Sequence, residues 1–146
     1  MQKGLQNYKA VDTLGKSAPE LVVKVYDGAI GNLREAVACY RENEFDAAQG
    51  KMEKAKKFVV HLYTTLDEEK GGEIARNLSR LYAFVIEQIN FVEATKELSL
   101  IEDSIIVLNN IREGWVQLAE EYKRNSRSLT EKTNAAKNTD SVSLSV

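Results

Sequence analysis

Few residues in this chain have the types and spacing that catalysis or metal binding requires. The one histidine, His61, and the one cysteine, Cys39, exclude a multi-histidine metal site, a cysteine-built zinc site and a disulfide framework. The sequence also lacks the Glu-x-x-His pairs of a di-iron bundle and the Gly-rich Lys-Ser/Thr loop of a nucleotide-binding site. We therefore expect no cofactor, no metal site and no enzymatic activity.

His61 leaves one rival chemistry open, which is phosphoryl transfer in a helical bundle. A phosphotransfer histidine is exposed, and a small residue and a lysine follow it closely, so that the phosphoryl group fits and is neutralised. Leu62, Tyr63 and two threonines follow His61 instead. The alternative is a partly buried, structural histidine. Cys39 and Trp115 lie at or beside apolar stripes, and we interpret both as core residues.

Charge is distributed unevenly along the 146 residues. Both ends are basic, whereas residues 17–122 carry 12 basic and 19 acidic side chains, a net charge of −7. An acidic body repels phosphate groups, so we expect no nucleic-acid partner. No apolar run approaches the roughly 18 residues of a membrane span, and the N-terminus lacks the apolar region of a signal peptide. The sequence therefore predicts a soluble, cytoplasmic protein without stable membrane association.

Apolar residues recur at intervals of three and four, which predicts helices and no strands. Ser17 and Asn43 are candidate N-caps for the first two helices, and Ser99 for the fourth. The pair Gly71-Gly72 permits a left-handed reversal before the third helix. Four helices of similar length with short links predict an all-α fold, an antiparallel four-helix bundle. The expected helices span about residues 18–41, 44–66, 73–96 and 100–124.

The sequence pattern predicts that the chain has three parts. Residues 1–16 form a flexible N-terminal segment, and residues 17–124 form the four-helix bundle. Residues 125–146 are rich in Ser, Thr and Asn and lack usable periodicity, which predicts a disordered or weakly helical tail.

The helices carry more apolar residues than one bundle core needs. In the third helix, Tyr82, Phe84 and Phe91 lie beside or off the core stripe, which we expect to include Ile74 and Leu81. In the fourth helix, the apolar run 105–108 points several ways around the axis. This surplus predicts an exposed apolar groove, whose natural ligand is an amphipathic helix of another protein. The alternative is a wide core that buries these residues.

Two strings in the sequence resemble the bacterial flagellar export chaperone family FliS. They are YDGAI at residues 26–30 and KGGEIARNL at residues 70–78. Together with Asn7-Tyr8 near the start, they occur in the family's order, and the likeness spans about residues 5–122. The chain departs from the family pattern at Pro19, which follows Ala18 rather than Ser17, and at Lys24 in the apolar run before Tyr26.

The resemblance implies a non-enzymatic, ATP-independent chaperone with an antiparallel helical-bundle fold. Proteins of this family bind the disordered C-terminal segment of flagellin in the cytosol and mask it before type III export. Further candidate partners are an export-gate component and a co-chaperone or anti-sigma regulator. The resemblance also implies that the N-terminal segment, including Tyr8, is a displaceable cap over the binding surface.

Ten residues are candidates for contacting the flagellin segment, and each has a structural alternative. For the tyrosines and isoleucines the alternative is core packing, and for the asparagines it is ordinary solvation. Asp27 either pairs with a basic side chain or caps a helix of the client. Two other functions remain open, a histidine phosphotransfer-like bundle and a helical adaptor or dimerising module. The candidates are Tyr8, Tyr26, Asp27, Ile30, Asn77, Tyr82, Phe84, Ile106, Asn109 and Asn110.

Overall fold

The computed structural model describes residues 18–144, with side chains as far as residue 134. Each helix packs against two neighbours, so that α1 and α3 both contact α2 and α4. Because the links are two or three residues long, consecutive helices run antiparallel. The predicted all-α fold and antiparallel four-helix bundle are confirmed. The helices are α1 (Ala18–Arg41), α2 (Phe45–Thr65), α3 (Glu68–Thr95) and α4 (Leu98–Leu144).

The core is one apolar cluster to which all four helices contribute. Its buried residues recur at intervals of three and four along each helix, as expected of amphipathic helices whose apolar faces meet. Gly28 on α1 allows close packing, because a Cβ atom there would lie 2.6 Å from the Phe58 ring on α2. The largest fully buried side chains are Tyr26, Leu33, Met52, Val59, Tyr82, Val85, Ile89, Val92, Ile101, Ser104 and Leu108.

Asn43 closes α1 and does not cap α2. Its φ angle of 59° is left-handed, and its N–H donates to the Tyr40 carbonyl over 3.1 Å. The N–H of Glu44 donates to the Cys39 carbonyl over 2.9 Å, so the last turn of α1 is satisfied. No side chain caps α2. The predicted N-cap at Asn43 is wrong because asparagine is favoured both at N-caps and in left-handed C-terminal caps.

The link between α2 and α3 forms a capped turn. The Asp67 side chain accepts a hydrogen bond from the Lys70 N–H over 3.1 Å, so α3 begins at Glu68, earlier than expected. Gly72 then adopts φ 60° and ψ −137°, which kinks the helix. A positive φ angle is therefore found in the predicted glycine pair, and the rest of α3 starts beyond this kink.

The last helix is longer than the spacing of apolar residues predicts. It continues through Leu144, and no glycine or proline follows Gly114 to end it. The hydroxyls of Thr130 and Thr133 donate to the carbonyls four residues earlier, over 2.9 and 2.8 Å. Every side chain from residue 120 to 134 is exposed, so this segment adds nothing to the core. The division at residue 124 stays a prediction, and residues 1–17 lie outside the described range.

Candidate binding surfaces

A groove between α1 and α4 brings together three of the predicted site residues. Ile30 is buried at its base, whereas Asp27 and Asn109 are half-buried at its sides. The space has a volume of about 310 Å³. A Cβ atom on Gly31 would meet nothing within 4 Å, so the groove is open beside it. The lining residues are Asp27, Ile30, Gly31, Arg34, Asn109 and Arg112.

An ion pair joins the two sides of this groove. Arg112 Nε lies 2.6 Å from Asp27 Oδ1, and Arg112 Nη1 lies 3.5 Å from Glu113 Oε1. Of the two roles considered for Asp27, pairing with a basic side chain is the one the structure shows. Arg34 lies in the same groove and forms no ion pair with any residue in the described range. The groove therefore combines an apolar base with one available cation.

Tyr26 and Tyr82 lie in the core, which is the alternative considered for them. Their hydroxyl groups form a hydrogen bond with each other, and the Trp115 side chain also hydrogen-bonds to Tyr26. Burial, and then the charge and the hydrogen bond of Tyr82, raise the pKa of Tyr26 far above its ordinary value. The hydroxyl therefore stays protonated, and neither ring presents surface to a partner in this conformation.

The remaining described candidates are exposed. Phe84 and Asn77 lie two turns apart on α3, and Ile106 and Asn110 lie one turn apart on α4. The Ile106 side chain is 59% exposed, although it is large and apolar. None of these four residues lines the α1/α4 groove. The candidates therefore fall on more than one surface.

An apolar stripe runs along the outside of α3, and it includes two residues that we expected in the core. We expected Ile74 and Leu81 in the core, but Ile74 is 74% exposed and Leu81 is 37% exposed. The assignment is wrong because α3 carries two apolar stripes side by side, and both have heptad spacing. The second stripe is visible in the sequence, because its residues also recur at alternating intervals of three and four. We call this surface the outer α3 stripe, and its members are Ile74, Asn77, Leu81, Phe84, Gln88 and Phe91.

The sequence model of the family described as flagellar protein FliS matches residues 1–122. This chain belongs to the FliS family. The flagellar secretion chaperone FliS of Vibrio cholerae serotype O1 is 29% identical over 126 residues, covering 84% of this chain and 93% of the relative. That of Salmonella typhimurium is 31% identical over 121 residues, covering 80% of this chain and 90% of the relative. The flagellar secretion chaperone FliSB of Pseudomonas aeruginosa is 26% identical over 95 residues, covering 65% of this chain and 75% of the relative.

The FliS match includes α1, α2, α3 and the part of α4 that packs against them. It ends at residue 122, close to where the exposed segment of α4 begins. The resemblance inferred from the two sequence strings is thus confirmed, and the family is one of flagellar secretion chaperones. The core, the α1/α4 groove and the outer α3 stripe all lie within the matched residues.

His61 is exposed on α2, so the alternative of a partly buried histidine is wrong. Its carbonyl accepts hydrogen bonds from the hydroxyls of Thr64 and Thr65, over 3.3 and 2.8 Å. Across the described range, no three His, Cys, Asp or Glu side chains gather as a metal site requires. No helix in the described part of this FliS-family chain has the length and apolar character needed to cross a bilayer.

Proposed function

We propose that this FliS-family chain is a cytoplasmic flagellar export chaperone for flagellin. It binds the disordered C-terminal segment of flagellin and keeps that segment from polymerising before type III export. The supporting observation is an exposed apolar surface on a bundle whose relatives are flagellar secretion chaperones. Phe84, Phe91, Ile106 and Leu118 are each at least 41% exposed and lie outside the buried cluster that forms the core.

The α1/α4 groove holds one stretch of the client. Ile30 supplies an apolar base, and the Asn109 side chain pairs with polar groups of the client backbone. Arg34, which lacks an ion-pair partner in the described range, attracts a client carboxylate or carbonyl oxygen. Asp27 acts indirectly, because its ion pair holds Arg112 at the side of the groove.

Exposed residues outside the groove hold amphipathic turns of the client. Ile106 and Asn110 lie on one face of α4, and Phe84 and Asn77 lie on the outer α3 stripe. Each pair combines an apolar contact with a side-chain amide that hydrogen-bonds to backbone groups of the client. Ordering a disordered segment costs about 2–5 kcal/mol, which an interface of roughly 1,000–3,000 Å² offsets. An extended, divided surface suits a client that must later unwrap.

Two buried tyrosines support this surface from within the bundle. Tyr26 and Tyr82 connect α1 to α3 through their hydroxyl groups and so hold the outer residues in place. Direct contact of either ring with the client would require the helices to separate. Tyr8 lies outside the described residues, and its role as a displaceable cap stays a proposal from the family resemblance. Release needs no nucleotide, because an export-gate component competes for the same client.

A polymerisation assay tests the proposal. Monomeric flagellin is seeded with filament fragments, and growth is followed by light scattering as the full-length chain is added. We expect growth to stop near a one-to-one ratio, and a double variant, Phe84→Glu with Ile106→Glu, to inhibit much less. Val60→Glu, which places the same charge on an exposed apolar site of α2, is the matched control. Unchanged filament growth with the native chain would contradict the proposal.

A further inference from the structure

The outer α3 stripe has the spacing of a coiled-coil seam. Its members follow one another at intervals of 3, 4, 3, 4 and 3 residues from Ile74 to Phe91. All are exposed except Gln88, which is half-buried. The stripe begins just beyond the kink at Gly72, so it lies on regular helix. Heptad spacing favours a second helix that crosses at about 20° along the whole stripe.

The stripe is complementary to itself when two copies run antiparallel. With Leu81 of one copy opposite Phe84 of the other, Ile74 falls opposite Phe91. In the same register, Asn77 falls opposite Gln88, so the two amides face each other and every apolar residue faces another. A shift by one heptad places Asn77 opposite Leu81 or Phe84 opposite Gln88, which leaves a polar group against an apolar one. The polar pair therefore selects the register.

Charge at the margin of the stripe also fits a second copy. Arg80 and Glu87 come one residue before Leu81 and Gln88, so both flank the stripe along the same edge. In the antiparallel register, Arg80 of one copy lies nearest to Glu87 of the other, and symmetry repeats the pair. Neither residue forms an ion pair within the described range. Opposite charges at these flanking positions set the choice of partner and its orientation.

We propose that the outer α3 stripe is the interface of a symmetric homodimer in which two copies of α3 pair antiparallel. The interface is isologous, since the same surface of each chain meets its own copy around a two-fold axis. It covers little more than two heptads, which places it at the small end of specific interfaces and makes the dimer concentration-dependent. The α1/α4 groove stays open in this dimer, whereas Phe84 and Asn77 are covered, so a client that binds at these two residues displaces the second copy. The dimer proposal does not depend on flagellin being the client.

A charge-swap experiment tests the dimer on the full-length chain. Sedimentation equilibrium from low to high micromolar concentration gives the dimer dissociation constant. We expect Arg80→Glu and Glu87→Arg, each alone, to raise this constant about tenfold, because each creates two like-charge contacts. The double variant restores both ion pairs in reversed order and returns the constant to within about twofold of the native value.

Arg76→Glu is the matched control, since Arg76 is exposed on α3 but lies outside the stripe. It makes the same charge change as Arg80→Glu and leaves dimerisation unaffected. Far-UV circular dichroism checks that each variant is folded, and the charge-swap pair keeps the native apolar residues. The proposal is overturned by a chain that stays monomeric at every concentration, or by a double variant that fails to recover the native constant. A dimer equally sensitive to Arg76→Glu would also overturn it.

Discussion

The hydroxyl groups of Tyr26 on α1 and Tyr82 on α3 form a hydrogen bond across the middle of the bundle. The two rings are tilted by 49°, and their centroids lie 6.3 Å apart. Trp115 on α4 hydrogen-bonds to the same Tyr26 hydroxyl, so three helices share one polar contact within an apolar core. Because α1 and α3 lie diagonally opposite in the bundle, this hydrogen bond fixes the distance between them. The packing of each helix against its neighbours does not fix that distance.

Removing the Tyr26 hydroxyl is expected to destabilise the fold. In Tyr26→Phe, the ring still fills its site, but Tyr82 and Trp115 lose a hydrogen-bond partner inside the core. We expect the free energy of unfolding to fall by about 1–3 kcal/mol, as for buried polar groups deprived of a partner. Urea denaturation followed by Trp115 fluorescence measures this change. Tyr63→Phe on the exposed face of α2 is the control, and an equal loss there would contradict the prediction.

Adding one methyl group at Gly28 is expected to separate α1 from α2. Alanine is a better helix former than glycine by about 1 kcal/mol, but its Cβ atom would overlap the Phe58 ring. We expect Gly28→Ala to lower stability by about 1–3 kcal/mol, which is the usual effect of overpacking. At Gly50, nothing lies within 4 Å of the added atom, so Gly50→Ala gains stability in the same thermal melts. A gain at both glycines would show that Phe58 moves aside freely.

The positions and types of the helices could be predicted from the sequence because apolar spacing dominates local structure. The helix ends were harder to predict. Asn43 satisfies the rules for both kinds of cap, and only its left-handed backbone shows which one applies. The end of α4 was placed too early. The intervals between apolar residues reveal only helical segments with a buried face, and the last part of α4 is exposed on all sides.

Glu93 is expected to make stability depend on pH. Its Oε1 atom is buried without a hydrogen-bond partner. Burial, followed by the hydrogen bond and charge of Glu53, raises the pKa of Glu93 above its ordinary value of 4.5. Between 4.5 and the raised pKa, the folded chain binds more protons than the unfolded chain, so stability falls as pH rises through that window.

The variant Glu93→Gln tests this dependence. We expect it to raise the melting temperature at neutral pH, with a gain in free energy below about 1 kcal/mol because solvent screens this partly exposed group. Below the ordinary pKa the difference from the native chain disappears, since the carboxyl group is then neutral in both states. Glu121→Gln, at an exposed site on α4, is the control. A benefit from Glu93→Gln that is the same at every pH would argue against the electrostatic cause.

A charge at Ile106 is expected to weaken client binding without unfolding the bundle. The side chain is mostly exposed, so Ile106→Glu costs the core nothing, but it sets a carboxylate against an apolar residue of the client. We expect the dissociation constant for the flagellin segment to rise at least about tenfold, with the circular dichroism spectrum unchanged. Val60→Glu on α2 leaves the affinity at the native value. Loss of helix in Ile106→Glu would instead assign this residue to the core.

The candidate site could be predicted only in part, because sequence spacing does not separate a core stripe from a neighbouring surface stripe. Tyr26 and Tyr82 recur at the helical intervals that groove residues also show, and only the packing of the four helices together shows that both tyrosines are buried. Ile74 and Leu81 have core spacing but are exposed. The Asp27–Arg112 contact joins residues far apart in the chain, so the sequence left open whether Asp27 pairs with a basic side chain or caps a helix of the client.

Isothermal titration calorimetry of the full-length chain with the isolated C-terminal segment of flagellin tests the central claim most directly. We expect saturable one-to-one binding with a negative heat-capacity change, because exposed apolar surface on the bundle becomes buried. The N-terminal segment of the same flagellin, titrated under the same conditions, is expected to give no binding heat. Equal binding of both segments, or no binding of the C-terminal one, would contradict the claim that this surface recognises the end of flagellin.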